Sequence, residues 1–537
     1  MIEPDWISPS RLRPLFYNDP AVVWLEHHGA RYGFFPDDSS YALIKLLEQK
    51  GKQFEAAWLS RYASAAPNIC GLTSGLADPD SFNQWQTLIE QQIPLIAQAP
   101  LMLANQKLYG IADCLAHSTW LLEHFPQLAP ELADLPEHYL IIDLKFTSKL
   151  TTPSKKIDLA FYSAQVEFYS YMLGQIQGYL PHIALLITRD QLLEPMVIRF
   201  PHDQPPQLSP SLKAYCEQYR EIVLNHGHNL PWRHEALRPN YAHSNERWAS
   251  AKQQIMQREP DGSVEQVWYI GAAARQELAA AEIYSLKQLL AADPNQLPKK
   301  ALRRREPMLA ILQANRSQQA LKPATARIIS AQQHFFVDCE FFSSVNVDFD
   351  REWPQLQGKP MIFMLGVGWQ EQGVWHYRDF IASEEEFSAE RQLLEDFCAF
   401  LAQKSHNQLD QCCLYHWSHA EKTATNNAII RHQLADNHPL CQLNWFDLER
   451  HVITHCCAIP GAWNYSLKPF VQALSCYDSR FSAPWPNNLS DGGTAQVMGW
   501  NAYQCPNLLE SDEMVLLREY LEADCLGLYQ VAKWLEG

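Results

Sequence analysis

The sequence predicts an α/β chain of two sheet-bearing domains joined by a mainly helical connector. Three observations predict it. Short apolar runs of strand length, at 139–146, 183–188, 335–342 and 361–369, are interleaved with segments of helical periodicity such as 158–177, 390–401 and 514–534. The chain has 537 residues, more than a single hydrophobic core organises, and 47% of them are hydrophobic. A polar stretch holding Pro205, Pro206 and Pro210 separates the first group of elements from helical patterning through Leu212, Tyr215, Tyr219 and Ile222. The expected divisions are 1–205, a connector at 206–330 with a faint helix-hairpin-helix pattern, and 331–537.

Composition narrows the function classes. Lys and Arg number 43 against 60 Asp and Glu, a net charge of −17, which argues against a strong nonspecific nucleic-acid coat but leaves room for a local basic channel. None of the 13 cysteines stands in a CxxC arrangement, and Cys412-Cys413 and Cys456-Cys457 are adjacent, so reduced thiols are expected. The opening residues Met1-Ile2-Glu3-Pro4-Asp5-Trp6 show no basic region followed by an apolar one, and no run of about 18 apolar residues follows. A cytoplasmic location without a membrane partner is therefore expected. No GxxxxGK[ST] motif occurs, so any strand unwinding would need a helicase or repair partner.

In the first domain, Ser8 followed by Pro9 signals a helix start. A second helix runs from about Asp37 or Ser39 through Leu43, Leu46 and Leu47 toward Trp58; Glu55 on it reads, alone, as a solvated acid. Gly110-Ile111-Ala112-Asp113 is followed 30 residues later by Ile141-Ile142-Asp143-Leu144-Lys145. On a strand, Asp143 and Lys145 point to one face. Charges at the end of so apolar a strand need partners or a task. Asp113 and Asp143 suit a hard divalent metal, and Lys145 suits steering of water. Thr147, Ser148, Lys149, Lys155 and Lys156 read either as a phosphate-facing loop or as a wet turn. On the 158–177 helix, Gln165 and Tyr169 share one side, while Phe161, Phe168 and Met172 supply the core.

Gly110 with Asp113, Asp143-Leu144-Lys145, and Gln165 with Tyr169 resemble the ordered motifs of the RecB-like branch of PD-(D/E)XK nucleases, with Glu55 at the acidic position of the early helix. The resemblance implies a restriction-endonuclease-like fold in which Glu55, Asp113 and Asp143 bind Mg²⁺ or Mn²⁺, Lys145 assists catalysis, and Gln165 and Tyr169 contact substrate. Iron–sulfur members carry a cysteine soon after the opening helix and a later cysteine cluster. Here Phe16-Tyr17-Asn18-Asp19-Pro20 stands at the first place and no later cluster exists, so no iron–sulfur cluster is expected.

In the connector, Gln266-Val267-Trp268-Tyr269-Ile270-Gly271 reads as a short strand or turn before small helices. Lys299, Lys300, Arg303, Arg304 and Arg305 are the strongest positive cluster. Placed on a helix, they would offer several cations, Arg303 and Arg304 among them, to a phosphate backbone; solubilising surface charge is the alternative.

In the last domain, Phe335-Phe336-Val337-Asp338-Cys339-Glu340 is an apolar strand with two carboxylates on one face, which repel unless a cation lies between them. Another strand ends at Ser418-His419-Ala420-Glu421; His416 and His419 there are expected to make local hydrogen bonds rather than a zinc site. Tyr520 and Asp524 stand one turn apart on the last helix. These residues resemble a ribonuclease-H-like 3′ to 5′ exonuclease of the DEDD superfamily. Asp338 and Glu340 match its first motif, and Tyr520 with Asp524 match the tyrosine form of its last. Glu421 stands where aspartate is usual, as in the YprB-like branch, to which Trp445-Phe446-Asp447-Leu448 and Tyr465-Ser466-Leu467-Lys468 are also similar. The resemblance implies metal binding by Asp338, Glu340, Glu421 and Asp524, water orientation by Tyr520, and phosphate contact by Lys468, with Asp447 structural.

Together the two resemblances imply a metal-dependent nuclease acting on nucleic acid, DNA in preference to RNA, at single-stranded ends. An RNA-processing exonuclease and a nucleic-acid-binding scaffold with inactive sites are the alternatives carried forward.

Overall fold

The computed structural model describes residues 3–37, 42–62, 87–147, 150–152, 155–189, 191–200, 207–241, 243, 246–328, 331–342, 360–483, 485 and 492–537. The chain is α/β, with two mixed β-sheet domains and helical segments between the sheets. It divides into two compact units, one of residues 1–41 and 47–258, the other of 42–46 and 259–537.

The first unit is built on a five-stranded sheet of order β1-β2-β3-β4-β5: β1 Leu95–Leu103, β2 Leu108–His117, β3 Tyr139–Lys145, β4 Ile183–Thr188 and β5 Met196–Arg199. The first three strands form an antiparallel meander. β4 runs parallel to β3, a pairing that needs a crossover, and the 22-residue helix Lys156–Gln177 supplies it. β3 is buried on both faces. Tyr139 and Ile141 join a core with Val166, Phe168 and Met172 of that helix, whereas Leu140, Ile142 and Leu144 join a second core with Trp58, Trp120 and Ile187. Alternation therefore turns Asp143 and Lys145 toward the side that the crossover helix covers. The long step from Asp113 to Asp143 holds the rest of β2, a helix Ser118–His124 and short turns.

The segment set apart as a connector, 206–330, is divided between the two units. Its first part includes the helix Pro210–Asn225, whose Leu212, Tyr219 and Ile222 share the first core with Val22 and Trp24 of the helix Pro20–His28. Asp19 fixes the rest: fully buried, it pairs with Lys252 at 2.9 Å and accepts from the Asn240 amide at 3.1 Å. The later part, with the helices Ala272–Ala280, Leu286–Ala291 and Arg305–Ser317, shares a core with Tyr415, Tyr465 and Trp534. The 266–271 stretch forms turns rather than a strand.

The second sheet has the order β10-β9-β6-β7-β8, with β6 Gln333–Phe342, β7 Met361–Glu371, β8 Val374–Ile381, β9 Cys412–His416 and β10 Trp445–Asp447. β6, β7 and β8 are antiparallel neighbours, and β9 joins the other side of β6 in parallel, with β10 parallel beyond it. The helices Phe387–Lys404 and Asp512–Glu536 bury apolar faces that include Leu393, Phe397, Leu517 and Leu521. Among the described residues, the cysteines form no disulfide, and no helix is long and apolar enough to cross a membrane.

Two expectations are corrected. Lys299, Lys300, Arg303 and Arg304 do not lie on a helix: 299–304 is a chain of turns, and the helix begins at Arg305. Pro298 opens the turn that closes on the Ala301 amide, and Arg305 holds it by donating to the Pro294 carbonyl at 2.6 Å. Ser8 does occupy the N-cap position, but its hydroxyl meets Ser10 Oγ at 3.0 Å instead of a helix amide.

Candidate active sites

In the first unit, β2 and β3 bring Asp113 and Asp143 together. Cys114 pairs with Ile142, so the two acids are neighbours across the ladder, and Asp113 Oδ2 accepts from the Leu144 amide at 2.8 Å. Asp143 is fully buried and ion-paired to Lys145, Nζ to Oδ2 at 2.7 Å, yet neither of its oxygens has a hydrogen-bond donor at a bonding angle. Burial pushes the Asp143 carboxyl up to about 7, with Asp113 adding to the shift and Lys145 opposing it. For Lys145, burial acts to release the proton, but Asp143 and Asp113 outweigh it and hold the ammonium above its ordinary range. The Lys145 Nζ also lies 5.1 Å from the Tyr162 ring centroid.

Glu55 on the helix Ala42–Ser60 is half-buried and close enough to Asp113 to feel its charge; burial first and Asp113 second raise its carboxyl to about 7. Gln98 completes this side, donating to Glu55 Oε2 at 3.3 Å. The β1–β2 register steps from Ala97–Cys114 to Ala99–Ala112, and Gln98 between them takes φ +51°. Sequence reasoning missed Gln98, although it is the one polar residue in the apolar run 95–103. Tyr169 is buried beneath the acids, where burial and then Asp143 and Asp113 raise its phenol well above its ordinary value; Gln165 hydrogen-bonds to it. Gly110 allows this placement, because a Cβ there would fall 2.5 Å from Tyr169 Cε1. Lys149 lies outside the described residues.

In the second unit, β6 presents Asp338 and Glu340 side by side on one face, and the β6–β7 register shifts between Glu340 and Phe341. Glu421 comes from the first turn of the helix Ala420–Arg431, Asp524 and Tyr520 from successive turns of Asp512–Glu536, and Lys468 from the first turn of Leu467–Tyr477. Asp338 lies close to both Glu421 and Asp524, and repulsion among these buried acids disfavours their all being ionised together. Burial is the largest cause of every shift here. It drives Asp338 and Glu340 well above the carboxylate range, and repulsion among the acids adds to this. Glu421 rises to about 7 and Asp524 to about 8. Trp485 opposes the last shift by donating from Nε1 to Asp524 Oδ1 at 2.6 Å. Lys468 Nζ donates to Tyr520 OH at 3.0 Å.

Asp338, Glu340, Lys468, Tyr520 and Asp524 line a cleft of 850 Å³, with Trp417, Ser466 and Gln496 among its other walls. Behind it, His416 Nδ1 approaches Glu421 Oε2 at 3.3 Å without the angle of a hydrogen bond, so both atoms are buried without a hydrogen-bond partner. Asp447 caps the helix Leu448–Thr454 through the Arg450 amide, a structural role. Trp485 was not found from the sequence; it sits between Pro484 and Pro486, where no periodicity singles it out.

The donors in both groups are oxygens, the type that hard divalent cations take, and the buried oxygens of Asp143 and Glu421 Oε2, which accept no well-angled hydrogen bond, suit such an ion. Among the described residues, no three His, Cys, Asp or Glu side chains are gathered in a metal-holding arrangement. Arg303 and Arg304 are exposed and belong to neither acidic group. No protein-family model, no curated protein and no solved structure matches the chain.

Proposed function

We propose that the chain is a metal-dependent nuclease with two hydrolytic centres, the second of which trims single-stranded DNA from its 3′ end. The observation that carries this reading is the convergence of Asp338, Glu340 and Asp524 with Tyr520 and Lys468 on one cleft, with Glu421 close enough to Asp338 to feel its charge. Four acids drawn from one strand and two helices, each with a raised pKa, are costly to the fold without a cationic task. The strand order supports a ribonuclease-H-like fold here. In the first unit, the antiparallel meander followed by a crossover helix and a parallel strand supports a PD-(D/E)XK fold.

Asp338, Glu340, Glu421 and Asp524 would hold Mg²⁺ or Mn²⁺ at the second centre, and Glu55, Asp113 and Asp143 at the first, where the ion supplies positive charge to the reacting phosphodiester. The residues themselves do the positioning. Lys468 donates to the Tyr520 hydroxyl and so leaves its oxygen a fixed acceptor direction, suited to aligning an attacking water. The same ammonium faces the cleft and suits a phosphate oxygen. At the first centre, Lys145 is held protonated beside Asp143, which suits charge stabilisation rather than proton abstraction. A second reading, a nucleic-acid-binding scaffold, is favoured only by the lack of a preassembled ligand group among the described residues.

The test is degradation of 5′-labelled and 3′-labelled single-stranded DNA and RNA in Mg²⁺ or Mn²⁺. Asp338→Ala is expected to abolish stepwise loss from the 3′ end and Asp143→Ala to abolish the remaining cleavage. Binding without degradation in either metal overturns the reading in favour of the scaffold.

A further inference from the structure

The basic turn at 299–304 belongs to neither acidic group, yet a chain of contacts links it to the wall of the second cleft. Trp268 donates its amide to the Trp463 carbonyl at 2.8 Å and packs its ring edge-on against Tyr465 at 4.9 Å. The Tyr465 carbonyl in turn accepts from Trp417, and Trp417 lines the cleft. The next residue, Tyr269, is 53% exposed and adopts φ +63°, a backbone region that a bulky side chain rarely enters. The Arg304 guanidinium lies 5.8 Å from its ring centroid. Among the described residues, Lys299, Lys300, Arg303 and Arg304 form no ion pair, although four cations within six residues repel one another. A half-exposed ring with Arg304 over it and Trp268 packed edge-on at 4.5 Å, beside cations that form no ion pair, is the chemistry that takes an unpaired base and its phosphates.

We propose that Tyr269 and Arg304, with Lys299, Lys300 and Arg303, form a stacking platform that receives single-stranded nucleic acid beside the second cleft. The proposal rests on reading that cleft as a nucleic-acid site. Bases of a duplex are stacked on each other and offer no face to Tyr269, so the platform favours single strands. The cations grip phosphates, and the ring fixes one base outside the cleft.

The experiment uses the full chain in EDTA and a fluorescent 20-nucleotide oligothymidylate, read by anisotropy. Tyr269→Ala is expected to weaken binding about tenfold, within the range of one base–aromatic stack, while Tyr269→Phe stays within about twofold. Arg304→Ala is expected to lower the slope of log affinity against log salt by about one. An abasic chain of the same length is expected to bind the intact protein more weakly and to be indifferent to Tyr269→Ala. Equal unfolding temperatures for the intact protein and both Tyr269 variants exclude misfolding as the cause. Hydrolysis of the dinucleotide TpT in Mn²⁺ separates the two readings, since it reports cleavage of one phosphodiester independently of oligonucleotide affinity. If TpT is cleaved but Tyr269→Ala binds the oligonucleotide as the intact protein does, the platform is wrong and the nuclease reading stands. If nothing is cleaved but Tyr269→Ala loses affinity, the platform stands alone. Equal binding of abasic and base-bearing chains overturns the platform outright.

Discussion

Replacing Asp524 by asparagine is predicted to stabilise the metal-free protein while weakening its response to metal. The carboxyl titrates at about 8 in the folded chain, against 3.8 for an unperturbed aspartate. An acid whose folded pKa is raised binds its proton more tightly when folded. Its contribution is therefore most favourable below about pH 4 and is progressively lost as pH rises toward 8. At pH 7 the span above 3.8 corresponds to a ceiling of about 4 kcal/mol, at 1.36 kcal/mol per unit. Asp338, Glu340 and Glu421 share that burden and relax once one acid is neutral, so about half, ~2 kcal/mol, is the expected gain for Asp524→Asn. For a unit of this size it raises the unfolding temperature by about 4–8 °C. Asparagine keeps an oxygen to accept from Trp485 Nε1, so that hydrogen bond survives. The assay is thermal unfolding of the full chain at pH 4.5 and pH 7, in EDTA and in millimolar Mn²⁺. In EDTA the variant should exceed the parent at pH 7 and match it at pH 4.5. In Mn²⁺ the parent should gain more than the variant, because a cation binds only the ionised acids. A variant that melts below the parent at pH 7 in EDTA would show that the ionised Asp524 carboxylate does not burden the metal-free fold.

Three further substitutions probe single contacts. Gly110→Ala drives a methyl group into the Tyr169 ring and is expected to cost about 1–3 kcal/mol, seen as earlier unfolding in urea; an unchanged midpoint would mean that the ring moves freely. Lys145→Met strips the cation from a fully buried carboxylate, and the loss is expected to reach about 3–5 kcal/mol at pH 8 and to shrink at pH 5.5, where Asp143 is protonated; a loss independent of pH would contradict this. Trp485→Phe removes a donor that stabilises the Asp524 carboxylate, so the pH midpoint of Mn²⁺-supported activity at the second centre should move about half a unit upward. A downward shift would show that Trp485 acts through packing instead.

Much of the fold was legible because strands announce themselves by apolar runs. Residues 139–145 and 333–342 form strands within a few residues of expectation, and the period of two correctly placed Asp143 with Lys145 and Asp338 with Glu340 on common faces. Helical spacing placed Tyr520 and Asp524 one turn apart. Glu55 was different: nothing in its own helix distinguishes it from a solvated acid, and its approach to Asp113 depends on where that helix crosses the sheet. Gln98 and Trp485 depend in the same way on long-range approach, through a kink in β1 and a proline-flanked segment. The basic turn was misread because charge spacing was taken as helical. Pro298 and the buried Leu297, Ala301 and Leu302 wind 297–304 into turns before the helix starts at Arg305.

Hydrolysis of a phosphodiester at the second cleft leaves an oxygen from water on the released phosphate. Incubating the full chain with single-stranded DNA and Mn²⁺ in ¹⁸O-labelled water, with mass analysis of the products, tests it most directly. The expected products are 5′-mononucleotides carrying one ¹⁸O on phosphate, released from the 3′ end and absent with Asp338→Asn. Intact DNA in the presence of saturating protein and metal, or mononucleotides that persist with Asp338→Asn, would contradict hydrolysis at this cleft.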